Sequence, residues 1–586
     1  MLKLIKYLKP YIWLLLPLII LTYLGVLANL ELPNYMAKIV DSGIIGEDMS
    51  SIYQNGILML TVTLAGGLAM VGVGFFASKI ATGLARDLRK KVFEKVEKFS
   101  IAEFNQFSTA SLITRSTNDI QQVQTVMIML LRIVLMAPFM AVGALQNALK
   151  NAPELSWIIA VAVVALLSLV AVLFAFGLPK FKILQKLVDK LNLVTRESLT
   201  GLCVVRAFDN ESIEEKKFDK ANQDLTKLNI FINRLMSILQ PFMMFVMNVS
   251  TVAIVWFGAQ LVSTNAIEIG GMMAFMQYAI QVIMSFLMFS MIFIMIPRAS
   301  VSANRIIEVI DTDISIKDPQ NPKPLAVEGR GQIEFRDVTF TYPDADYPVL
   351  SGINFTAHPG QTTAFIGSTG SGKSTLINLV PRFYDVSAGQ VLIDDVDVRD
   401  LKLEDLYSQI GYVPQKGVLF SGTIKSNIKF GNKKATNKDD RDAIKTAQAT
   451  DFVSKLTKNI DSPISQGGTN VSGGQKQRLS IARALAVNPN VYIFDDSFSA
   501  LDFKTDATLR KELVKQTKGK TVLIVGQRIS TIMNADKIIV LDEGKIVGQG
   551  THDELMKSNE KYQEIAYSQL SKEELSTVKK QSKEAK

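Results

Sequence analysis

The sequence predicts an α-helical membrane domain followed by an α/β domain. Six apolar stretches long enough to cross a bilayer lie before residue 300. After residue 330, short alternating apolar runs lead into a glycine-rich turn between a strand and a helix. At 586 residues the chain is too long for one core, and its 48% apolar content and positive mean hydropathy agree with membrane spans.

The predicted spans have the length of membrane helices. They cover roughly residues 12–35, 57–80, 126–148, 155–178, 237–262 and 271–297. The first has no small-residue cleavage site and is followed by five more. We therefore expect a retained helix and not a signal peptide.

Charge placement orients the predicted helices. Lysine and arginine are concentrated at the start of the chain and in two long loops, 82–125 and 180–235, whereas the loop at 41–55 has Glu47 and Asp48 and no basic residue. By the positive-inside rule both termini face the cytosol. This topology accounts for the net charge of +9, and no basic module interleaved with aromatics is visible, so no nucleic-acid partner is expected. The single cysteine, Cys203, excludes an internal disulfide.

Composition changes mark the domain boundaries. We expect a membrane domain over 1–312, a linker over 313–330 that contains the turn-prone stretch Asp318-Pro-Gln-Asn-Pro-Lys-Pro324, and a nucleotide-binding domain over 331–570. The alternation of Ile333, Phe335, Val338 and Phe340 predicts its first strand. Residues 571–586 are almost all charged or polar and predict a disordered tail.

The stretch Gly367-Ser-Thr-Gly-Ser-Gly-Lys373-Ser374-Thr375 follows an apolar strand and opens a helix, which is the setting of a phosphate-binding loop. Its backbone N–H groups can approach phosphates, Lys373 can reach the β- and γ-phosphates, and the Ser374 hydroxyl can ligate Mg²⁺. The predicted cofactors are ATP and Mg²⁺. The predicted ATP-binding residues of the loop are Gly367, Ser368, Thr369, Gly370, Ser371, Gly372, Lys373, Ser374 and Thr375.

About a hundred residues later, Val471-Ser472-Gly473-Gly474-Gln475 offers a second anion-binding nest at a helix start. It resembles the signature motif of ATP-binding-cassette (ABC) proteins, which acts in trans on the nucleotide of a second cassette. Other cassette motifs follow that family's order: the adenine-stacking Tyr342, the loop glutamine Gln415, the Walker B carboxylate Asp495, and the D-loop Ser499-Ala-Leu-Asp502.

The resemblance implies an ABC exporter half-transporter in a bacterial plasma membrane: six membrane helices fused to a phosphate-loop domain with a helical subdomain. It implies Mg²⁺ contacts from Ser374, Gln415 and Asp495, the last directly or through water. It also implies that Ser472 and Gly474 act on a partner's nucleotide.

Two positions depart from the family pattern. Asp496 stands where active cassettes carry the glutamate that polarises water, and its carboxylate is one methylene shorter. Gln527 replaces the switch histidine; an amide can donate a hydrogen bond but cannot gain a proton near neutral pH. Because a small misplacement can cost about a hundredfold in rate, we expect good ATP binding and poor hydrolysis here. The two histidines, His358 and His552, are expected to be surface residues.

These paired losses beside an intact signature resemble the degenerate-site subunit of heterodimeric bacterial multidrug ABC exporters. The expected partner is a second half-transporter with the consensus glutamate and histidine and a weakened signature. The alternative is that Asp496 and Gln527 are tolerated drift in a slow, symmetric homodimer.

The two long cytosolic loops are expected to couple the cassette to the membrane helices, because the family places short coupling helices there. Residues near Glu103 form a turn predicted to expose aromatic rings. The candidate coupling residues are Phe104, Phe107 and Phe208. Plain packing between helical extensions is the alternative for their neighbours.

Half of the 22 methionines lie between Met236 and Met295, among several phenylalanines, which suits a polyspecific apolar pocket; helix packing and lipid exposure are the alternative. Arg132 lies about 9 Å inside its predicted span and could snorkel, form an ion pair or attract an anionic substrate. The cavity candidates are Arg132, Gln240, Asn248, Gln277 and Gln281.

The sequence thus predicts an ATP-hydrolysing translocase that exports amphipathic compounds across the lipid bilayer. Export or flipping of a lipid or peptide is one alternative. A regulatory ABC subunit that binds ATP without transport is another.

Overall fold

The computed structural model describes residues 2–325, 330–432 and 434–569. The predicted tail at 571–586 lies outside the described residues. The chain divides into two compact units. The first comprises Met1–Glu97 and Thr109–Thr312, and the second comprises Lys98–Ser108 and the chain from Asp313 onward. A short segment of the first long cytosolic loop is therefore part of the second unit.

The first unit is built of helices. They are α1 (Ile12–Lys38), α2 (Met49–Val96), α4 (Thr109–Ser116), α5 (Asn118–Asn151), α6 (Ser156–Thr200), α7 (Leu202–Ala207), α8 (Glu211–Ser237), α9 (Leu239–Ser263) and α10 (Ile269–Asp311). A further helix, α3 (Ile101–Gln106), belongs to the second unit. With 48 residues α2 is about 72 Å long, so it extends well beyond a bilayer core.

The prediction of six membrane spans is confirmed. In the described residues, the helical segments long and apolar enough to cross a membrane are Lys3–Ile45, Met49–Val96, Thr109–Asn151, Pro153–Gly177, Glu211–Ser263 and Ile269–Phe286. Only 17 to 44% of each most apolar window is buried within the unit. This leaves most of the apolar surface for lipid or for other chains.

The second unit contains two main sheets. Their strands are β1 (Ile333–Phe340), β2 (Leu350–Ala357), β3 (Thr362–Gly367), β4 (Ala388–Ile393), β5 (Val396–Asp397), β6 (Ile410–Val413), β7 (Gly422–Thr423), β8 (Pro463–Ile464), β9 (Val491–Asp495), β10 (Thr521–Val525), β11 (Lys537–Asp542) and β12 (Lys545–Gly550). One sheet is antiparallel in the order β2-β1-β4-β5. The other has the order β12-β11-β3-β10-β9-β6 and is parallel except for β12.

Helices flank these sheets. They are α11 (Lys373–Leu379), α12 (Leu403–Ser408), α13 (Ile424–Ile428), α14 (Asn437–Thr446), α15 (Thr450–Val453), α16 (Gly473–Val487), α17 (Phe503–Gln516), α18 (Ile529–Ile532), α19 (His552–Ser558) and α20 (Glu560–Gln569). The run α13 to α16 forms the expected helical subdomain. One apolar core lies between this subdomain and the parallel sheet, and a second lies between the two sheets.

Local patterns explain the elements that position the site. The four alternating apolar residues predicted for the first strand are buried in β1, as expected. In the parallel sheet β10 lies between β3 and β9, so the carboxyl ends of these three strands meet at one edge. The phosphate-binding loop, Asp495 and Gln527 follow those three ends, where ligands of open α/β sheets bind.

Candidate nucleotide site

The phosphate-binding loop has the backbone shape that its glycines permit. Gly370 and Gly372 have φ of 85° and 93°, a region that side chains disfavour. A Cβ on Gly372 would lie 2.7 Å from Leu350 Cδ2 and 3.2 Å from Val349 O, so a side chain here would crowd its neighbours as well as strain the backbone. Gly372 also caps α11, and the helix N-terminus therefore opens directly onto the loop.

Lys373 is held inside the loop. Its Nζ donates to the carbonyls of Gly367 at 3.0 Å and Ser368 at 2.6 Å and to Ser371 Oγ at 3.2 Å. Burial lowers the pKa of Lys373, and the charges of Asp496 and Asp495 act in the opposite direction. The ammonium is thus positioned at the loop, where a polyanion would offset the cost of burying it.

Ser374 and Asp495 form a hydroxyl–carboxylate pair. Ser374 Oγ donates to Asp495 Oδ1 at 2.9 Å, and Asp495 is only 5% exposed. Burial, with a further contribution from Asp496, raises the pKa of Asp495. Oxygen donors of this type suit Mg²⁺, and a nearby cation would relieve the cost of the buried charge. No group of three or more His, Cys, Asp or Glu suited to a metal occurs in the described residues, so phosphate oxygens and water would complete the shell.

Asp496 accepts hydrogen bonds from both glutamines of the site. Gln527 Nε2 lies 2.7 Å from Asp496 Oδ2, and Gln415 Nε2 lies 3.4 Å from the same oxygen. Asp496 is 7% exposed, and its φ of 45° is in the left-handed region that aspartate tolerates better than most residues. Burial raises the pKa of Asp496, against the lowering effect of hydrogen bonds from Gln415 and Ser499.

Tyr342 lies beside the loop. Its hydroxyl is 2.9 Å from Thr375 Oγ1, and its ring packs edge-on against Tyr384 with centroids 5.3 Å apart. A flat, half-buried ring at the phosphate loop is what stacking on a base requires.

The signature segment begins a long helix. Ser472 caps α16: its Oγ accepts from Gln475 N at 3.3 Å, while Gln475 Oε1 accepts from Ser472 N at 2.9 Å. A Cβ on Gly473 would meet no atom within 4 Å, whereas one on Gly474 would lie 3.1 Å from Ala500 O. The helix N-terminus is therefore open to an anion at Gly473 and packed against the D-loop at Gly474.

One residue of this site, Gln477, was not predicted from the sequence. Gln477 is buried on α16; its Nε2 donates to Pro414 O at 3.2 Å and its Oε1 accepts from Gly417 N at 3.1 Å. It therefore joins the signature helix to the backbone on both sides of Gln415. Ser499 Oγ donates to Asp496 O at 2.9 Å and ties the D-loop to the Walker B end. The only sequence signal for Gln477 was a polar residue on the core face of a helix.

The coupling candidates differ in exposure. Phe104 and Phe208 are 41% and 72% exposed. Phe107 is only 4% exposed, and its ring stacks on Phe99 with centroids 5.8 Å apart. The expectation that the turn exposes Phe107 is wrong, because the extended backbone after α3 turns this ring inward.

The cavity candidates differ in exposure. Arg132, Gln240, Asn248 and Gln277 are exposed. Gln281 Nε2 lies 3.4 Å from Asn29 O, and its Oε1 is buried with no hydrogen-bond partner in the described part of the chain. A pocket of about 850 Å³ lies elsewhere, between α14, α15 and α17.

One histidine expectation is also wrong. His358 is exposed, but His552 is 7% exposed and its Nδ1 lies 2.7 Å from Tyr562 OH. Burial lowers the pKa of His552, so its neutral form is favoured.

The fold and this site define a nucleotide-binding cassette joined to a helical membrane unit. Residues 14–286 match the ABC transporter transmembrane region family, and residues 350–499 match the ABC transporter family. The chain belongs to the ABC transporter family.

Curated relatives extend over nearly the whole chain. An uncharacterized ABC transporter ATP-binding protein of Mycobacterium tuberculosis is 40% identical, with 96% of this chain and 97% of the relative covered. Another, YfiB of Bacillus subtilis, is 36% identical, with 97% and 99% covered. An ATP-dependent lipid A-core flippase of Pseudomonas fluorescens is 31% identical, with 96% and 94% covered.

A solved structure of a bacterial Atm1-family ABC exporter with ATP bound superposes with a TM-score of 0.79 at 25% identity, over 95% of this chain and 98% of that one. The prediction of an ABC half-transporter with an exporter fold is therefore confirmed. The chain is a multi-pass membrane protein whose cassette binds ATP, an ATP-hydrolysing translocase of the ABC type.

Proposed function

We propose that this chain is the degenerate-site subunit of a heterodimeric ABC exporter for amphipathic compounds. One observation carries the proposal: Asp496 replaces the catalytic glutamate, and its Oδ2 accepts a 2.7 Å hydrogen bond from Gln527, which replaces the switch histidine. A carboxylate that is too short and already accepts an amide N–H is poorly placed to take a proton from water.

The same site retains the groups needed to hold ATP. The Lys373 ammonium would pair with the phosphates. Ser374 Oγ lies 2.9 Å from Asp495 Oδ1, and these two oxygens, with Gln415, would hold Mg²⁺. Bound Mg²⁺ would neutralise phosphate charge. Tyr342 would stack on adenine. We therefore assign long-lived ATP binding to this site.

The intact signature supports a separate role in trans. Ser472 and the N–H groups at the start of α16 form an open anion-binding end, with Gly473 unobstructed. Placed against a partner's γ-phosphate, they would complete that partner's hydrolytic site. Gly474 would be required because a Cβ at this position would lie 3.1 Å from Ala500 O of the D-loop.

The transport cycle follows from two-state coupling. ATP binding closes the two cassettes, the coupling residues Phe104, Phe107 and Phe208 pass this closure to the membrane helices, and hydrolysis at the partner's site resets the cycle. We assign outward transport because the chain has an exporter fold, and we place both termini in the cytosol, where ATP is supplied.

For the substrate, we favour amphipathic small molecules on the grounds of the Met- and Phe-rich last spans. The flippase among the relatives favours a lipid as the second candidate. The exposed Arg132 would serve a lipid substrate by pairing with an acidic headgroup, although a guanidinium that snorkels to the inner membrane surface would be equally exposed.

The test is ATP hydrolysis by the purified chain with and without its partner. We expect little activity from the lone chain and restoration when the second half-transporter is co-expressed. Robust turnover by the lone chain that Lys373→Ala abolishes would show that the site is hydrolytic and that the proposal is wrong. Substrate-stimulated hydrolysis in reconstituted vesicles separates a transporter from a regulatory subunit.

A further inference from the structure

A buried glutamate in the second unit joins two segments that are far apart in sequence. Glu103 lies in α3 and is 7% exposed. Its Oε2 accepts from Ser100 N at 2.8 Å, which completes the capping box of α3. Its Oε1 accepts from Ser315 N at 3.1 Å, and Ser100 Oγ lies 3.2 Å from Ser315 Oγ. A single carboxylate therefore binds the start of α3 to the linker that follows α10.

Both partners of this carboxylate are fixed to the cassette. Ile101 and Ala102 of α3 pack against the core between the two sheets. In the linker, Lys317 O accepts from Arg382 Nη1 at 3.2 Å, and Asp318 Oδ1 accepts from Leu403 N at 2.8 Å. Glu103 thus lies at the point where the two segments meet on the cassette.

Glu103 is held in its charged form. Burial would raise the pKa of Glu103, but the hydrogen bonds from Ser100 and Ser315 outweigh burial and lower it. A buried carboxylate that accepts two backbone N–H groups is a strong, directional link, because removing it leaves both donors unpaired.

A second set of contacts, within the first unit, joins the chain that follows α3 to the end of α10. Arg115 of α4 donates through Nη1 to Arg305 O at 2.9 Å and to Glu308 Oε2 at 2.7 Å. Ser302 Oγ donates to Asp119 Oδ1 at 2.8 Å. The chain that leaves α3 and the end of α10 are therefore bound to each other within the membrane unit, as α3 and the linker are within the cassette.

We propose that Glu103 is a positioning residue that makes the first cytosolic loop and the exit of α10 move as one body during the ATP cycle. Cassette movement then reaches α5 and α10 together and not one at a time. This role is independent of the degenerate-site assignment, since it applies to a symmetric dimer as well.

The first experiment replaces the contact with a covalent bond. The full-length chain with Cys203→Ser, Ser100→Cys and Ser315→Cys is assembled as the complete transporter, and ATP hydrolysis is measured oxidised and after dithiothreitol. We expect the linked peptide by mass spectrometry and rates that agree within about twofold, since segments that move together tolerate a bond. A large loss on oxidation that reductant reverses, or failure of the thiols to link, would overturn the proposal. Oxidised single-cysteine variants are the matched controls.

The second experiment asks whether the bond replaces the carboxylate. In the same cysteine background, Glu103→Ala should lower ATP hydrolysis of the reduced transporter by about tenfold, because coupling contacts of this kind change rates by that order. Oxidation should restore most of the rate. If Glu103 were needed only for folding, oxidising the folded protein would not restore the rate. The proposal would be contradicted if Glu103→Ala caused no defect, or a defect that oxidation did not rescue.

Discussion

Gln527 Nε2 lies 2.7 Å from Asp496 Oδ2, so the two residues that depart from the family pattern are hydrogen-bonded to each other. An ionised carboxylate only accepts hydrogen bonds, so the amide nitrogen must face it. The two substitutions therefore form one arrangement, in which the amide occupies an oxygen that a general base would need.

This pairing predicts that single reversions restore little hydrolysis. Asp496→Glu lengthens the carboxylate but leaves Gln527 to hold it, and Gln527→His leaves the carboxylate short. The double variant should gain more than the product of the single gains, because a well-placed general base is worth about a hundredfold or more. Steady-state ATP hydrolysis by the four proteins, assembled with the partner, measures this. If the rate gain of the double variant equals the product of the two single gains, the two residues act independently.

A matched substitution tests the holding role of the same carboxylate. Asp496→Asn keeps the side-chain size and removes the charge, so it should leave ATP retention and transport largely intact. Loss of transport in that variant would mean that Asp496 performs chemistry.

Most residues of the candidate site could be proposed from the sequence because its parts are local. The loop from Gly367 to Thr375 is one turn between a strand and a helix, and Asp495 ends a run of five buried residues. Sequence spacing could not predict the link of Glu103 to Ser315 or of Gln477 to the loop of Gln415, since tertiary folding alone brings those backbone groups to the side chains. Phe107 was misjudged for the same reason: the stacking with Phe99 depends on how the chain turns after α3.

His552 should make stability depend on pH. Burial lowers its pKa in the folded protein, so below about pH 6.5 the unfolded chain binds a proton that the folded chain refuses. Below about pH 6.5 the free energy of unfolding of the cassette should therefore decrease as the pH is lowered, by at most about 1.4 kcal/mol per pH unit. His552→Gln should remove this component, and the exposed His358→Gln should keep it. The measurement is the free energy of unfolding of the three full-length proteins between pH 5.5 and 8. If its dependence on pH is the same in all three, the assignment to His552 is wrong.

The buried hydroxyl of Tyr492 predicts a neutral or stabilising substitution. Tyr492 is fully buried in β9, its hydroxyl has no hydrogen-bond partner in the described residues, and burial raises its pKa to about 12. An unpaired buried polar group costs about 1–3 kcal/mol, so Tyr492→Phe should match or exceed the wild type in thermal stability. Tyr562→Phe is the control: its hydroxyl contacts His552, and its removal should destabilise. A clear loss of stability in Tyr492→Phe would mean that the hydroxyl is satisfied.

The two roles assigned to this chain are separated by one comparison. Steady-state ATP hydrolysis of the assembled transporter is measured with Gly474→Asp and with Lys373→Ala in this chain, together with nucleotide trapping at each site. Gly474→Asp would crowd Ala500 O, 3.1 Å from the added Cβ, and would add a negative charge to the proposed anion-binding end of α16. It should therefore nearly eliminate hydrolysis, since an oriented donor at a developing charge is worth about 2.7–4 kcal/mol. Lys373→Ala should lower hydrolysis less and mainly weaken retention of ATP at this chain's own site. Equal damage from both variants, with trapped nucleotide lost equally from both sites, would contradict the asymmetric assignment.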